Sequence, residues 1–408
     1  MVLTRKIVFI SMVVMLTFSG MTVIFPLLPF YFEDFGGGPT QYGYAASAFA
    51  LAVFLISPTM GRLADKYGKV KVIWTNLVGY GLVNFGFIFV QSYWDIIILR
   101  FFEGFFTAGV APAAISIASD LSSEEDRARS IAFVTAGIST GIIIGPVLGG
   151  FLVEYYPIYF PFIISGCLGL IGAITAKLIL TEPSKPESSG NERSKGLKAI
   201  MDYAPKPLTS FVFLLVFIFL SQIVWLFIEP GFVYYFYEEL HLSPVQFGIH
   251  ISVFGAGVLF GELVLGGISD RFGRIRIMVI GSFVYAVFFY ALVYAKSFQA
   301  IVIAGGVAGL AFGLIGPASN ALLSEVSLEE HRTFIFGLAT SAAGVAQIIG
   351  PIAGGYAIDR GLHVTVLMKI NVLILLIAIL ILIFVKFDRY KTRQDPLLEQ
   401  EIQVQIEN

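Results

Sequence analysis

Arg100 and Glu103 stand three residues apart in one apolar stretch, and Glu229 directly precedes Pro230 and Gly231 in another. A spacing of three puts the first two on one helix face, where they can pair. An ionised group at the centre of a bilayer costs at least about 2.5 kcal/mol, so a carboxyl held there has a task, and binding and releasing a proton is the simplest one. Glu229 is the first candidate for a proton carrier. Glu103 and Arg100 come second, because an ion pair embedded in a helix serves packing equally well. Trp225 and Gln222 lie four and seven residues before Glu229, and Phe25 and Tyr234 complete a candidate substrate cavity. Aromatic rings beside a carboxyl suit a flat lipophilic cation. Nowhere do a nucleophile, a base and an orienting group share a spacing that supports catalysis, so no catalytic residue is assigned. No Gly-rich phosphate loop ends in Gly-Lys-Ser/Thr, which argues against an ATP-driven pump. The single cysteine, Cys167, leaves neither a disulfide nor a cysteine metal centre, and no metal or cofactor is expected.

The elements that must position these residues are membrane helices. Of the 408 residues, 57% are hydrophobic and only 13% charged. A spanning helix needs about 20 predominantly apolar residues, and such runs recur through nearly the whole chain. Twelve are expected, beginning near Ile7, Gly43, Val72, Asp95, Ser130, Tyr159, Thr209, Gln246, Ile277, Gln299, Phe334 and Val364. Helices satisfy their own backbone in lipid, and the short alternating segments of a barrel are missing, so the fold class is an all-α membrane protein. The first run is of spanning length without a cleavage site and is read as a retained helix.

Lys and Arg concentrate in alternate connections, around Arg5, Arg62 to Lys71, Arg127, Lys185 to Lys206, Arg271 to Arg276 and Lys386 to Arg393. The other connections carry Glu33, Asp34, Asp95, Glu154, Glu238, Glu239 and Asp359. The positive-inside bias puts the first set and both termini in the cytoplasm of a multi-pass cell-membrane protein.

An ungapped internal repeat runs through this pattern. Shifted by 205 residues, "GRLADKYGKVKV" at Gly61 falls on "GGISDRFGRIRI" at Gly266, with Asp65 on Asp270 and Gly68 on Gly273. Pro39 falls on Pro244, Gln41 on Gln246, Glu124 on Glu329 and Gly145-Pro146 on Gly350-Pro351 at the same offset. The chain divides accordingly into a six-helix bundle over residues 1–180, a cytoplasmic linker over 181–207, a second bundle over 208–388 and a tail over 389–408. Parallel duplicated halves with a site between them are a transporter arrangement.

At these residues the chain resembles the major facilitator superfamily, essentially from end to end. Gly61, Asp65 and Gly68 follow its loop motif between helices two and three. "GIIIGPVLGG", with Gly141, Gly145, Pro146, Gly149 and Gly150, is similar to the helix-five motif of its drug/proton antiporters. The resemblance implies helices one, four, seven and ten along the translocation path. It also implies that the loop, with Asp270 and Gly273 in the second copy, is a conformational latch holding the outward-facing state. In the loop itself Gly61 and Gly68 are expected to allow a tight turn, and Asp65 to cap a neighbouring helix or pair with an Arg. The helix-five glycines are expected to join the two halves by close packing. Glu103 and Glu229 are expected to meet in one cavity, Pro230-Gly231 to break the seventh helix, Glu262 to pair with cytoplasmic cations, and His250 to lie at an interface.

The function expected is proton-coupled efflux of amphipathic small molecules or drugs by alternating access, by a monomer whose partners are substrate, protons and lipid, with no nucleic acid. The alternatives are a proton-coupled importer of a sugar or organic acid and a non-transporting membrane sensor on the same fold.

Overall fold

In a computed structural model, residues 5–123, 126–182, 204–264, 267–327 and 331–386 are described. Most of the linker, the tail, Gly266, Glu124 and Glu329 lie outside them. The described residues contain twelve helices long and apolar enough to cross a membrane. Spans 1 to 6 are Arg5–Val23, Pro39–Tyr67, Lys69–Phe89, Tyr93–Asp120, Arg129–Tyr155 and Phe160–Ile179. Spans 7 to 12 are Leu208–Glu239, Pro244–Val264, Arg274–Leu292, Phe298–Val326, Phe334–Asp359 and Val364–Phe384. Their outward sides are apolar: Leu178 and Ile303 are 77% and 68% exposed on the bare chain, as suits a surface solvated by lipid tails. The two ends of the bundle are called here the basic face and the acidic face, after the charges in their connections.

The helix starts show why the two halves fold alike. Pro39 and Pro244 each open a span at a position where the missing N–H is not needed. Three residues after each preceding cap position, Gln41 and Gln246 accept the backbone N–H of Gly38 and Ser243, both at 2.8 Å. At the basic face Gly68 and Gly273 both take a positive φ, 109° and 93°, in the one-residue turns that reverse the chain into spans 3 and 9. Gly61 behaves differently from expectation. It lies inside the helix Pro39–Tyr67, with nothing within 4 Å of where its Cβ would stand. The sequence "GRLADKY" therefore continues span 2, and the turn is Gly68 alone.

Pro230 does not break span 7 either. The α-helix runs unbroken from Leu208 to Tyr234, and a wider π turn follows from Tyr235 to Glu239. A proline removes one donor, which neighbouring helices and small local adjustments accommodate inside a membrane bundle.

The halves meet through spans 2 and 11 and spans 5 and 8, and these seams obey the 205-residue offset rung by rung. A Cβ on Gly43 would strike the Pro351 carbonyl, and one on Gly248 would strike that of Pro146. Gly355 and Gly150 meet the carbonyls of Pro39 and Pro244 in the same way. One turn deeper, Ser47 Oγ donates to the Ile348 carbonyl at 2.7 Å, and Ser252 Oγ to the Ile143 carbonyl at 2.5 Å. At the rim, the Thr40 N–H donates to Asp359 Oδ2 and the Val245 N–H to Glu154 Oε2, both at 3.2 Å. A carboxylate from one half thus sits on the positive N-terminus of a helix of the other. Tyr237 OH donates across the halves to the Pro26 carbonyl at 2.9 Å. Between described residues, the hydrogen bonds and glycine contacts that join the halves all lie from the acidic face down to Phe54 and Gly344, about half-way along their spans. The molecule is sealed on its acidic side.

Candidate functional site

Below that seal two adjoining lobes, of about 330 and 400 Å³, form one cavity between the halves. Phe25, Ile142, Trp225, Glu229, Phe254 and Phe312 line both. Spans 3, 6 and 12 contribute to neither lobe, while span 4 contributes Arg100. The walls are mostly apolar, and nine of the lining residues are aromatic. The indole of Trp225 stacks on Phe254 with centroids 5.7 Å apart and rings 19° from parallel, a flat apolar surface reaching from span 7 to span 8.

Glu229 projects from span 7 into both lobes, and Tyr42 of span 2 donates its hydroxyl to Glu229 Oε1 at 2.9 Å. This bond crosses between the halves, so the carboxyl is at once a cavity wall and part of the contact that closes above it. Arg100 faces the larger lobe, with its guanidinium carbon 4.6 Å from the centre of the Phe49 ring. Its Nη1 donates to Glu103 Oε2 at 2.5 Å.

Several expectations need correction. Glu103 is wholly buried behind Arg100 and lines neither lobe, so Glu103 and Glu229 do not share the cavity. A residue three positions away on a helix shares a face only approximately, and here Arg100 reaches the cavity while Glu103 turns into the bundle to neutralise it. Phe25, Trp225 and Gln222 line the cavity, whereas Tyr234 is buried beyond it and lines neither lobe. Five residues beyond Glu229, Tyr234 lies too far round the helix to follow it inward. His250 is fully buried among Phe232, Phe236 and Gly305, and its ring occupies the space a side chain at 305 would need. It is a packed interior residue and not an interfacial one. Glu262 has no hydrogen-bond or ion-pair partner among the described residues and lines the smaller lobe with Glu229.

The helix-five motif divides its work. Gly141, Gly145 and Gly149 lie against span 1, at Met15, Thr22 and Val23, inside their own half. Pro146 and Gly150 face the other half instead, at Gly248 and Pro244, as does Ile143 at Ser252. Glycines four apart share a face, and the neighbouring residues one position on look past span 1 to span 8.

At the basic face Asp65 is exposed and makes no hydrogen bond or ion pair among the described residues. Neighbouring charges pair instead. Lys69 Nζ meets Asp120 at 2.5 Å, and at the repeat-related position Arg274 meets Glu325 at 2.8 Å and also Asp270. Glu182, just after span 6, accepts the Lys71 N–H at 2.8 Å and covers Gly68, capping span 3. The sequence offered no sign of this cap, since nothing local links residue 182 to residue 71. Tyr42 escaped notice for the same reason: its partner lies in the other half of the chain.

A family profile described as Major Facilitator Superfamily matches residues 10–229 and again 214–407. Quinolone resistance protein NorA of Staphylococcus aureus (strain N315) is 26% identical over 386 residues, covering 93% of this chain and 96% of that protein. Multidrug resistance protein 2 of Bacillus subtilis (strain 168) is 25% identical over 367 residues, covering 88% and 90%. Among solved structures, nucleoside transporter NupG superposes with a TM-score of 0.78 at 15% identity over 93% of this chain and 99% of its own. A bacterial homolog of the lysosomal transporter Spinster, inward-facing and unoccupied, gives 0.76 at 16% identity over 94% and 96%.

Proposed function

Because the chain belongs to the Major Facilitator Superfamily, we propose that it is a secondary transporter that exports amphipathic small molecules in exchange for protons. The basic face is then cytoplasmic, both termini are inside the cell, and the described state is inward-facing: sealed outside, with its cavity reached from within. The observation that carries the reading is the Glu229 carboxyl, which faces the aromatic residues of the cavity and is bonded across the halves to Tyr42. The two resistance-protein relatives support export of drug-like compounds over uptake of a polar nutrient.

The cycle follows from that geometry. In the inward-facing state a substrate entering from the cytoplasm displaces the proton from Glu229, with its flat part against Trp225 and Phe254. Tyr42 keeps one carboxyl oxygen occupied. Arg100 also faces the larger lobe, and its charge is held by Glu103, so it does not compete as a partner. Glu262 is the remaining acid in the cavity lining. Closing the basic face brings the halves together below the cavity, where exposed Asp65 is free to engage the opposite half as the latch. Opening the acidic face pulls apart the glycine, serine and carboxylate rungs. Outside, a proton returns to Glu229 and releases the substrate. Both halves of the chain supply the lining, and the transporter is taken to act as a monomer.

Reconstitution into liposomes under an imposed pH gradient tests this. The expected result is dye extrusion with opposing proton flow in the wild type, and loss of both in Glu229→Gln. Accumulation of solute in the direction of proton flow would establish the importer instead. Unchanged coupled transport in Glu229→Gln would remove that residue as carrier.

A further inference from the structure

Seven residues of span 8 line the smaller lobe: Phe247, Ile251, Phe254, Gly255, Val258, Leu259 and Glu262. Their spacing of three and four draws one stripe down the helix, from the sealed acidic side toward the basic face. Trp225 stacks on Phe254, which fixes the relative depth of spans 7 and 8. With a rise of about 1.5 Å per residue, Glu229 lies about 6 Å on the acidic side of that stacked pair and Glu262 about 12 Å on its basic side. The backbone positions of the two acids are therefore about 18 Å apart along the helix axes, one toward each end of an aromatic surface.

Glu262 has no structural employment. The residue at the matching position of the first half is Ser57, whose hydroxyl is spent on the Val53 carbonyl of its own helix and on the Ala108 carbonyl of span 4. Glu262 keeps none of that pattern and has no cation within bonding distance among the described residues. Arg100 is the cation in the cavity lining, and it is bonded to Glu103. The cavity thus presents an excess of negative charge, and its acid nearest the basic face is unpartnered. In a channel only partly filled by water, such a carboxylate attracts a cation several times more strongly than one in bulk solvent.

We propose that Glu262 is the capture site for the cationic group of a lipophilic substrate entering from the basic face, upstream of Glu229. A backbone offset of about 18 Å along the axes keeps the two carboxyls too far apart for one compact cation to touch both, so the two acids act in sequence: Glu262 admits the cation, the Trp225 and Phe254 surface carries its aromatic body, and Glu229 exchanges it for a proton. The inference rests on the cavity being the substrate path, but not on Glu229 being the proton carrier.

Equilibrium binding to the purified full chain in lipid nanodiscs tests it without a proton gradient. The probes are tetraphenylphosphonium and tetraphenylborate, nearly identical in shape and opposite in charge. Glu262→Gln is expected to weaken phosphonium binding about fivefold, with borate binding unchanged or strengthened, and Glu262→Asp to retain most of the wild-type preference. In transport, the same Glu262→Gln raises KM for the phosphonium with its maximal rate kept. Equal weakening for both ions would make Glu262 a packing residue and overturn the proposal, as would no change for either. If the wild type transports a neutral solute but binds neither ion, the capture site falls while the transport reading stands. If charge-selective binding is lost in Glu262→Gln but no gradient drives transport in the wild type, the capture site stands and proton coupling falls.

Discussion

The seal and the cavity treat the internal repeat in opposite ways. Along the seal the rungs between spans 2 and 11 recur 205 residues away between spans 5 and 8: Gly43 with Pro351 and Gly248 with Pro146, Ser47 on Ile348 and Ser252 on Ile143, Asp359 on Thr40 and Glu154 on Val245. The charged residues of the cavity, and Glu103 behind Arg100, have no such twins. Arg100 and Glu103 correspond to Gly305 and Ala308, and Glu229 and Glu262 correspond to Ile24 and Ser57. The reason is mechanical. Two halves that rock about a common axis need equal contacts on either side of it, whereas a solute needs one binding site, which symmetry would dilute. On the proposed cycle, duplication is kept where the molecule moves and lost where it binds.

The sharpest way to break this contrast is to move the cavity acid. Ile24→Glu combined with Glu229→Ile places a carboxyl at the twin position and is expected to leave gradient-driven efflux at least tenfold down, as in Glu229→Gln alone. Recovery of coupled efflux would mean the asymmetry carries no meaning. Next in size come the glycine rungs. Gly43→Leu and Gly248→Leu each force a side chain into a proline carbonyl, and overpacking of this kind costs about 1 to 3 kcal/mol. Both should populate the state open at the acidic face to a similar degree, read by labelling of cysteines introduced below the seal. A large effect at one site alone would contradict the equal-rung view. Ser47→Ala and Ser252→Ala each remove one hydrogen bond, worth about 1 kcal/mol, and should raise that labelling about fivefold and equally.

The smallest effect concerns Glu33, outside the spans. Burial, and then the nearby acids Glu238 and Asp34, raise its carboxyl above the usual range while the acidic face is sealed. The protonated form therefore favours the seal. Raising the pH at the acidic face through the carboxylate range should weaken closure slightly, and Glu33→Gln should flatten that dependence.

Much of this contrast was legible in the sequence. Apolar run length gave the helices, and the fixed offset gave both the duplicated turn glycines at 68 and 273 and the twin prolines at 146 and 351. What could not be read was which partner each twin meets. The offset relates Gly43 to Gly248, yet neither touches the other: each meets the proline of the opposite half, a choice fixed only when the halves dock. Pro230 misled because a local rule about missing donors was applied where neighbouring helices hold the segment. Glu262 misled because its position along span 8 suggested the basic charges near it, while its face around the helix, set by the stripe from Phe247, points to the cavity. Glu103 shows the same limit in reverse, since a pair on one face can still divide, one member reaching the solvent path and the other turning inward.

The claim that one unduplicated carboxyl couples substrate to protons is tested most directly by proton release on binding. Purified protein in weakly buffered detergent solution is mixed with a lipophilic cation near neutral pH, and the pH change is followed in the wild type, Glu229→Gln and Glu262→Gln. A saturable release is expected in the wild type, none in Glu229→Gln, and in Glu262→Gln the same release reached at higher cation concentration. Undiminished release from Glu229→Gln would contradict the claim.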